Sequence, residues 1–468
     1  MSKQEILTVA PLGWEGDSLA GFGHQHLAFR FVEESPQDGL SAWLSETTEE
    51  AQIVDVASHC HSYEGGFSQH ALNRVFSQSL LRLRPKVVVV VGLVGCTVDL
   101  LRVAELMGIP ALLILERPVQ PLSDLEMATQ CWLRSSLDSC DGRIFAEDPS
   151  DHSWPTAWLP QDTVTPLANL QSSLNDLLQL PRVDLDQDYS MYDFCQRDHT
   201  LLVRMQKGDT RHFQGCSTVL DLACGVGIFL DCLRQSGIKA VGVERDVRLA
   251  KYATGMGLDV LPEDVINCLQ NTDSQFDGIY CSHFVEHLPV EAVQKMLQLA
   301  ASRLSAGGVL VLVFPDPESI RSQLLGFWRD PEHVRFYHPE LIAGMAASVG
   351  LDLEWSSYDE QPHTAVPFEE VPPPMPVSTP FPEFQAEANM RSPGVIASLL
   401  EKFGLVSAQR LVELETRLAD WSQSLESSAL QAKEAQRHLE ERTTKLWEVN
   451  RTWAWNDNAT LRLRKRAE

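Results

Sequence analysis

The stretch VLDLACGVGIFL, Val219 to Leu230, decides the fold. Val219, Leu220 and Leu222 suit a buried strand, and Asp221 sits among them. Gly225 and Gly227 mark a turn where backbone can approach a ligand closely, and Ile228 to Arg234 has the spacing of a helix packed on a sheet. Strand, tight turn and helix in this order form a nucleotide cradle. Working outward, Lys239 to Glu244 (KAVGVE) reads as a second strand ending in a carboxylate about 20 residues after the glycines, where such units place an acid on ribose hydroxyls. Leu261 to Val265 (LPEDV) adds a further acid. Phe276 to Leu288 (FDGIYCSHFVEHL) gives a strand leading into a polar cluster, and Gly307 to Pro315 (GGVLVLVFP) gives one more.

In this order and spacing the set resembles the class I S-adenosylmethionine-dependent methyltransferases, over Tyr189 to Ser357. The resemblance implies a seven-stranded α/β sandwich with S-adenosyl-L-methionine as cofactor. By the family pattern Asp221, Ala223, Gly225 and Gly227 hold the methionine part, Glu244 the ribose, and Asp264 with Val265 the adenine edge, with Ser282 closing the cofactor-binding set. Ala223 stands where glycine is commoner, a small change expected to be tolerated. A redox dehydrogenase is the rival, but Leu230 falls where the last glycine of its fingerprint belongs.

Methyl transfer to a hydroxyl needs a positioned acceptor and a base. If Ser282 onward is helical, His283, Glu286 and His287 lie on one face at i, i+3 and i+4. His283 is the first candidate base, with His287 and His333 the other catalytic candidates. Arg335, Tyr337 and His338 lie on a loop expected over the same pocket. Arg335 suits a carboxylate or phosphate of the acceptor because its fork donates paired hydrogen bonds. His283, Glu286, His287 and His333 could also ligate a divalent metal that polarises an acceptor hydroxyl. That alternative is weighed and not favoured, and no metal ligand is assigned.

The chain has 468 residues and a net charge of -26, which disfavours nucleic-acid binding, since phosphate contacts need clustered cations. Length implies several domains. Its ten cysteines are not framed in CxxC pairs and read as reduced, mostly buried thiols. No apolar run is long enough to span a membrane and the N-terminus lacks a secretion signal, so a cytoplasmic protein is expected, with peripheral contact to an inner membrane left open.

Residues 1–150 alternate apolar runs with helical stretches: Ile53 to Ala57, Val87 to Gly92, Ala111 to Leu115 and Arg143 to Ala146. This implies a Rossmann-like domain with a parallel sheet. Arg84 to Pro118 resembles the N-terminal half of a GT-B glycosyltransferase of the bacterial surface-polysaccharide kind, a half that binds the sugar acceptor. Residues 151–188, rich in proline, aspartate and serine, read as a linker. Residues 189–360 form the methyltransferase domain. Residues 361–398 are a proline-rich linker, expected to be structureless.

Residues 399–468 read as a coiled coil or amphipathic helix. Leu411, Leu414, Leu418, Trp421, Leu425, Ala432, Ala435, Leu439, Leu446, Val449 and Trp453 keep one heptad frame. Arg462, Arg464, Lys465 and Arg466, downstream of Trp447, Trp453 and Trp455, suit a helix C-terminus or an anionic membrane surface. The Asp-Pro-x-His-x-Arg wording at Asp330 to Arg335 resembles methyltransferases of polysaccharide and lipopolysaccharide synthesis. The whole therefore predicts O-methylation of a sugar of a bacterial surface polysaccharide or its precursor, the partner being a glycan or small-molecule acceptor. Self-association or a partner protein is expected through the coiled coil. The alternatives are a scaffold of a glycan-synthesis complex with an inactive cofactor-binding domain, and a small-molecule methyltransferase.

Overall fold

The computed structural model describes residues 5–33, 40–48, 51–63, 66–115, 125–149, 163–183, 189–319, 321–323, 327–360, 394–405, 408–451 and 457–466. The first sheet has eight strands: β1 (Ile6–Pro11), β2 (His24–Val32), β3 (Ala42–Thr47), β4 (Ala51–Ala57), β5 (Val87–Val91), β6 (Ala111–Leu115), β7 (Ile144–Ala146) and β8 (Val164–Pro166), in the order β3-β4-β2-β1-β5-β6-β7-β8. All pairs are parallel except β3 with β4. The all-valine β5 is buried on both faces, as a central parallel strand must be. Between the strands lie α1 (Asn73–Leu83), α2 (Gly95–Leu106) and α3 (Met127–Asp138), and α4 (Leu170–Leu178) follows β8.

The boundary expected at residue 150 is corrected here. β8 pairs with β7, and Leu170, Leu174 and Leu177 of α4 pack into the core that also holds Val87, Val89, Val91 and Phe145. These residues complete the first sheet instead of linking domains. The rest of that stretch, 150–162 and 184–188, lies outside the described residues.

The second sheet contains β9 (Thr218–Leu222), β10 (Lys239–Val243), β11 (Val260–Leu261), β12 (Phe276–Ser282), β13 (Leu304–Pro315), β14 (Leu351–Ser356) and β15 (Asn458–Lys465), in the order β11-β10-β9-β12-β13-β15-β14. Its helices are α5 (Tyr189–Gln196), α6 (His199–Gln206), α7 (Ile228–Gln235), α8 (Val247–Gly255), α9 (Val265–Asn271), α10 (Val290–Arg303), α11 (Pro339–Ala347) and α12 (Ser357–Glu360). Strand order reverses between β9 and β12, so the crevice beyond their carboxyl ends is the topological switch point where open sheets of this kind take ligands.

β15 overturns the reading of the C-terminal tail as helix. It runs antiparallel to both β13 and β14, and Ala459, Leu461 and Leu463 enter the core. The tail cations are engaged: Arg462 and Arg464 pair with Glu354, Arg466 with Asp352, and Lys465 donates to the carbonyl of Leu304. They brace a sheet edge.

Residues 361–457 are therefore an insertion between the last two strands. A separate unit comprises Glu318–Arg321 and Gln361–Asp457. In it α13 (Val395–Glu401) precedes the 44-residue α14 (Ala408–Arg451), and Leu411, Leu414, Leu418 and Leu439 along α14 are exposed. A helix is present where the heptads predict one. Residues 361–393, Trp453 and Trp455 lie outside the described residues. Among the described residues no helix is long and apolar enough to cross a membrane.

Both sheets belong to one compact unit and share a core, which contains Leu101 and Trp132 beside Phe229 and Tyr252. A buried polar cluster sits in that shared layer. Asp99 of α2 accepts from Arg102 at 2.9 Å, Trp132 at 3.0 Å and Asn73 at 2.5 Å, and also from the hydroxyl of Tyr252 on α8. The guanidinium of Arg102 stacks 4.1 Å over the Tyr252 ring. Burial alone would raise the Asp99 carboxyl, but the charges and donors around it hold it well below the usual range.

Candidate active site

The turn after β9 is built for close approach. Gly227 has φ +87, and a Cβ there would meet the Leu258 side chain at 2.6 Å. Gly225 has φ +54 with open space where a Cβ would point. Ala223 also lies in the left-handed region, at φ 54, which explains why glycine is commoner there and costs this chain about 1–2 kcal/mol of strain. The expected tolerance thus carries a penalty.

Two carboxylates close the turn. Glu244 accepts the amides of Gly225 at 2.9 Å and Asp246 at 2.8 Å. Burial raises its carboxyl, and those two donors work against the shift. Asp221, 3% exposed, is pushed far above the carboxylate range by burial first and by Glu244 second. A cationic group beside them would relieve both effects. Asp246 caps α8 and takes a hydrogen bond from Ser190 of α5. Despite partial burial, bonds from Arg248 and Ser190 lower it to about 2. Asp264 caps α9 by accepting from Ile266 and Asn267, both on Oδ1, and Val265 is the first residue of that helix.

At the end of β12, adjacent to β9, the expected helix from Ser282 does not form. Ser282 ends the strand, His283 turns in the left-handed region at φ 53, and only a short 3-10 turn, Val285–His287, follows. The result still gathers the polar groups. His283 Nδ1 lies 3.1 Å from Glu286 Oε1. The amides of Val334 and Arg335 donate to the Glu286 carbonyl at 2.8 and 3.3 Å, stitching the second histidine segment to the first. His333 Nε2 lies 4.0 Å from Glu286 Oε1 and 3.4 Å from Asp330, and the His287 and His333 rings are 4.8 Å apart. Burial lowers His287, so it is neutral near pH 7.

One of the substrate candidates is structural, and a second also caps a helix. Tyr337 is buried at 1% exposure and donates to the Leu288 carbonyl at 2.6 Å, so it cannot face an acceptor. His338 caps α11 by accepting the Glu340 amide at 3.3 Å. Arg335 stays exposed, with its guanidinium 5.0 Å over the Tyr337 ring. Near it Phe327 stacks on Phe336 at 3.6 Å, and Trp328 stands 71% exposed beside them.

Two residues escaped the sequence reading. Tyr280 of β12, in register with Asp221, stacks on Phe229 at 3.7 Å and donates to Asp209 at 2.8 Å. Burial raises the Asp209 carboxyl and overrides that bond. Tyr280 lay inside a recognised strand, but Asp209 sits in an irregular turn with no motif around it.

A family model described as a methyltransferase domain matches residues 190–354. The ubiquinone biosynthesis O-methyltransferase of Yersinia pestis is 28% identical over 96 residues, 19% of this chain and 39% of that protein. The same enzyme of Yersinia pseudotuberculosis gives equal figures. This chain thus spans well under half the length of the curated relatives it matches. Among solved structures, an S-adenosylmethionine-dependent methyltransferase from Archaeoglobus fulgidus is 22% identical, with 57% of this chain and 93% of that one covered at a TM-score of 0.35. The magnesium protoporphyrin IX methyltransferase of Synechocystis, with bound cofactor, is 16% identical, with 41% and 86% covered at a TM-score of 0.27. Residues 190–354 thus match a methyltransferase domain, over the sheet whose strand order and glycine turn are described above.

Proposed function

We propose that this chain O-methylates a hydroxyl of a sugar, in a bacterial surface polysaccharide or its precursor. The observation that carries the reading is the juxtaposition of Asp221 on β9 and Glu244 after β10 with His283 at the end of β12, the strand beside β9. When bound, S-adenosylmethionine supplies an electrophilic methyl group. Glu286 accepts a hydrogen bond from His283 Nδ1, which leaves Nε2 to take the acceptor's hydroxyl proton while the acceptor oxygen forms its bond to the methyl carbon, the carbon–sulfur bond breaks and the sulfur departs as a neutral thioether. Exposed Trp328 offers an apolar face to a sugar ring and Arg335 a charged fork to an anionic group on it.

The sugar class draws support from the resemblance of Arg84 to Pro118 to a glycosyltransferase half and from the aromatic loop around Phe327. Mass spectrometry of surface glycan from cells with and without the protein tests it. A methyl group missing only without the protein is expected. Identical glycans would direct attention to a small-molecule acceptor.

The exposed leucines of α14 favour a second role beside catalysis, as an assembly point for another copy or a partner protein. Light scattering of the full chain, against a variant with Leu411, Leu414, Leu418 and Leu439 changed to Glu, tests this, since association through α14 disappears in the variant.

A further inference from the structure

We propose that Glu286, His287 and His333 form a binding site for one divalent transition-metal ion. Each offers a ligand atom, and the three lie within 4.8 Å of one another. Ligands bonded at about 2.0–2.2 Å stand at most ~4.4 Å apart, so small side-chain rotations close the set. The site is prepared in two ways. The Glu286 side chain is 1% exposed, and its Oε2 finds no hydrogen-bond partner among the described residues. A buried carboxylate oxygen left bare is costly unless a cation takes it. His333 donates from Nδ1 to the Phe327 carbonyl at 2.7 Å, which fixes the tautomer and leaves the Nε2 lone pair facing Glu286 and Asp330. An imidazole held through its other nitrogen is the usual preparation of a ligand.

Two nitrogens and one carboxylate oxygen suit manganese, iron, cobalt, nickel or zinc better than calcium. Asp330 and Glu332 beside them add negative charge. Three protein ligands leave coordination positions open, and His283 stands next to them, its Nδ1 3.1 Å from Glu286 Oε1. An ion held by these residues would lower the pKa of an acceptor hydroxyl beside it, and His283 is placed to take that proton. This role rests on the methyltransferase reading, whereas the binding of the ion does not.

Full-length protein stripped with chelator is titrated with cobalt(II), followed by visible absorption and calorimetry, and separately with S-adenosylmethionine. One cobalt per chain is expected, with affinity at least about tenfold weaker in Glu286→Gln and in His333→Ala, each checked for folding by circular dichroism. His287→Asn serves if either variant does not fold. Absence of stoichiometric binding, or affinity unchanged in the folded variants, overturns the site. Cobalt binding without cofactor binding instead removes the methyltransferase role and leaves the metal site standing.

Discussion

Asp221 and Glu244 face one glycine turn from neighbouring strands, and only Glu244 is tied to it, through the Gly225 amide at 2.9 Å. Asp221 is left with burial and a like charge, and its carboxyl is raised accordingly. The folded state therefore keeps a proton that the unfolded chain releases. Stability from this source is present at acid pH and falls as pH rises from the ordinary carboxylate value through the raised one. Asp221→Asn should raise the melting temperature of the ligand-free protein at neutral pH and flatten that slope. It should also weaken S-adenosylmethionine binding by at least about tenfold, a factor worth ~1.4 kcal/mol. A lower melting temperature with unchanged affinity contradicts the assignment.

His283 holds a left-handed backbone that histidine adopts at a cost and asparagine adopts more readily. His283→Asn should thus leave melting temperature unchanged or slightly higher while lowering kcat by about 10²–10⁴-fold. Cofactor affinity should stay within twofold of the parent, roughly ±0.4 kcal/mol. Full activity in the variant moves the base elsewhere.

Much of this site was legible in the sequence because glycine turns and strand-end acids depend on short-range geometry. Gly225, Gly227 and Glu244 could be placed from spacing alone. The histidines were found as a group, but their helical arrangement was not, since His283 breaks the strand exit with a positive φ that nothing local announces. Tyr337 looked like a binding residue because its burial depends on the distant Leu288 carbonyl. β1, β2 and β3 went unread: β1 is buried along nearly its whole length and so shows no alternation, and the mixed burial of β2 and β3 hides theirs. β15 shows clean alternation in NATLRLRK, yet the preceding heptads pulled it into a helix, and its partners lie far back in the chain.

The exposed Trp328 predicts a binding effect without a chemical one. Trp328→Ala should raise the KM for a sugar acceptor several-fold, by about 1 kcal/mol of lost contact, with kcat and cofactor affinity little changed. Steady-state kinetics with the acceptor varied checks this. A fall in kcat at constant KM argues against an acceptor platform.

Asp99 and Tyr252 join the two sheets through buried polar groups, so their loss should be felt by both. Asp99→Ala strands the buried Arg102 beside the orphaned donors of Trp132 and Asn73, a change expected to cost about 3–5 kcal/mol. Because the sheets share a core, calorimetry should show one transition shifted downward. Two separated transitions, only one of them shifted, indicate that the sheets unfold independently.

The place of β15 sets opposite outcomes for two shortenings of the chain. Removing Asn458 to Glu468 strips β13 and β14 of their shared neighbour and takes Ala459, Leu461 and Leu463 out of the core. Two large buried side chains alone account for about 3–6 kcal/mol of burial, comparable to the whole stability of many domains. That truncation should yield insoluble protein. Replacing residues 361–456 with a short Gly/Ser loop keeps the strand, and the Thr460 amide already donates to the Ser357 hydroxyl at 3.0 Å, so the ends to be joined lie close together. The loop variant should stay folded, keep its cofactor affinity and lose any association due to α14, as read by circular dichroism, calorimetry and light scattering. A soluble, cofactor-binding truncation would show that β15 is dispensable to the sheet and restore the view of the tail as an appendage.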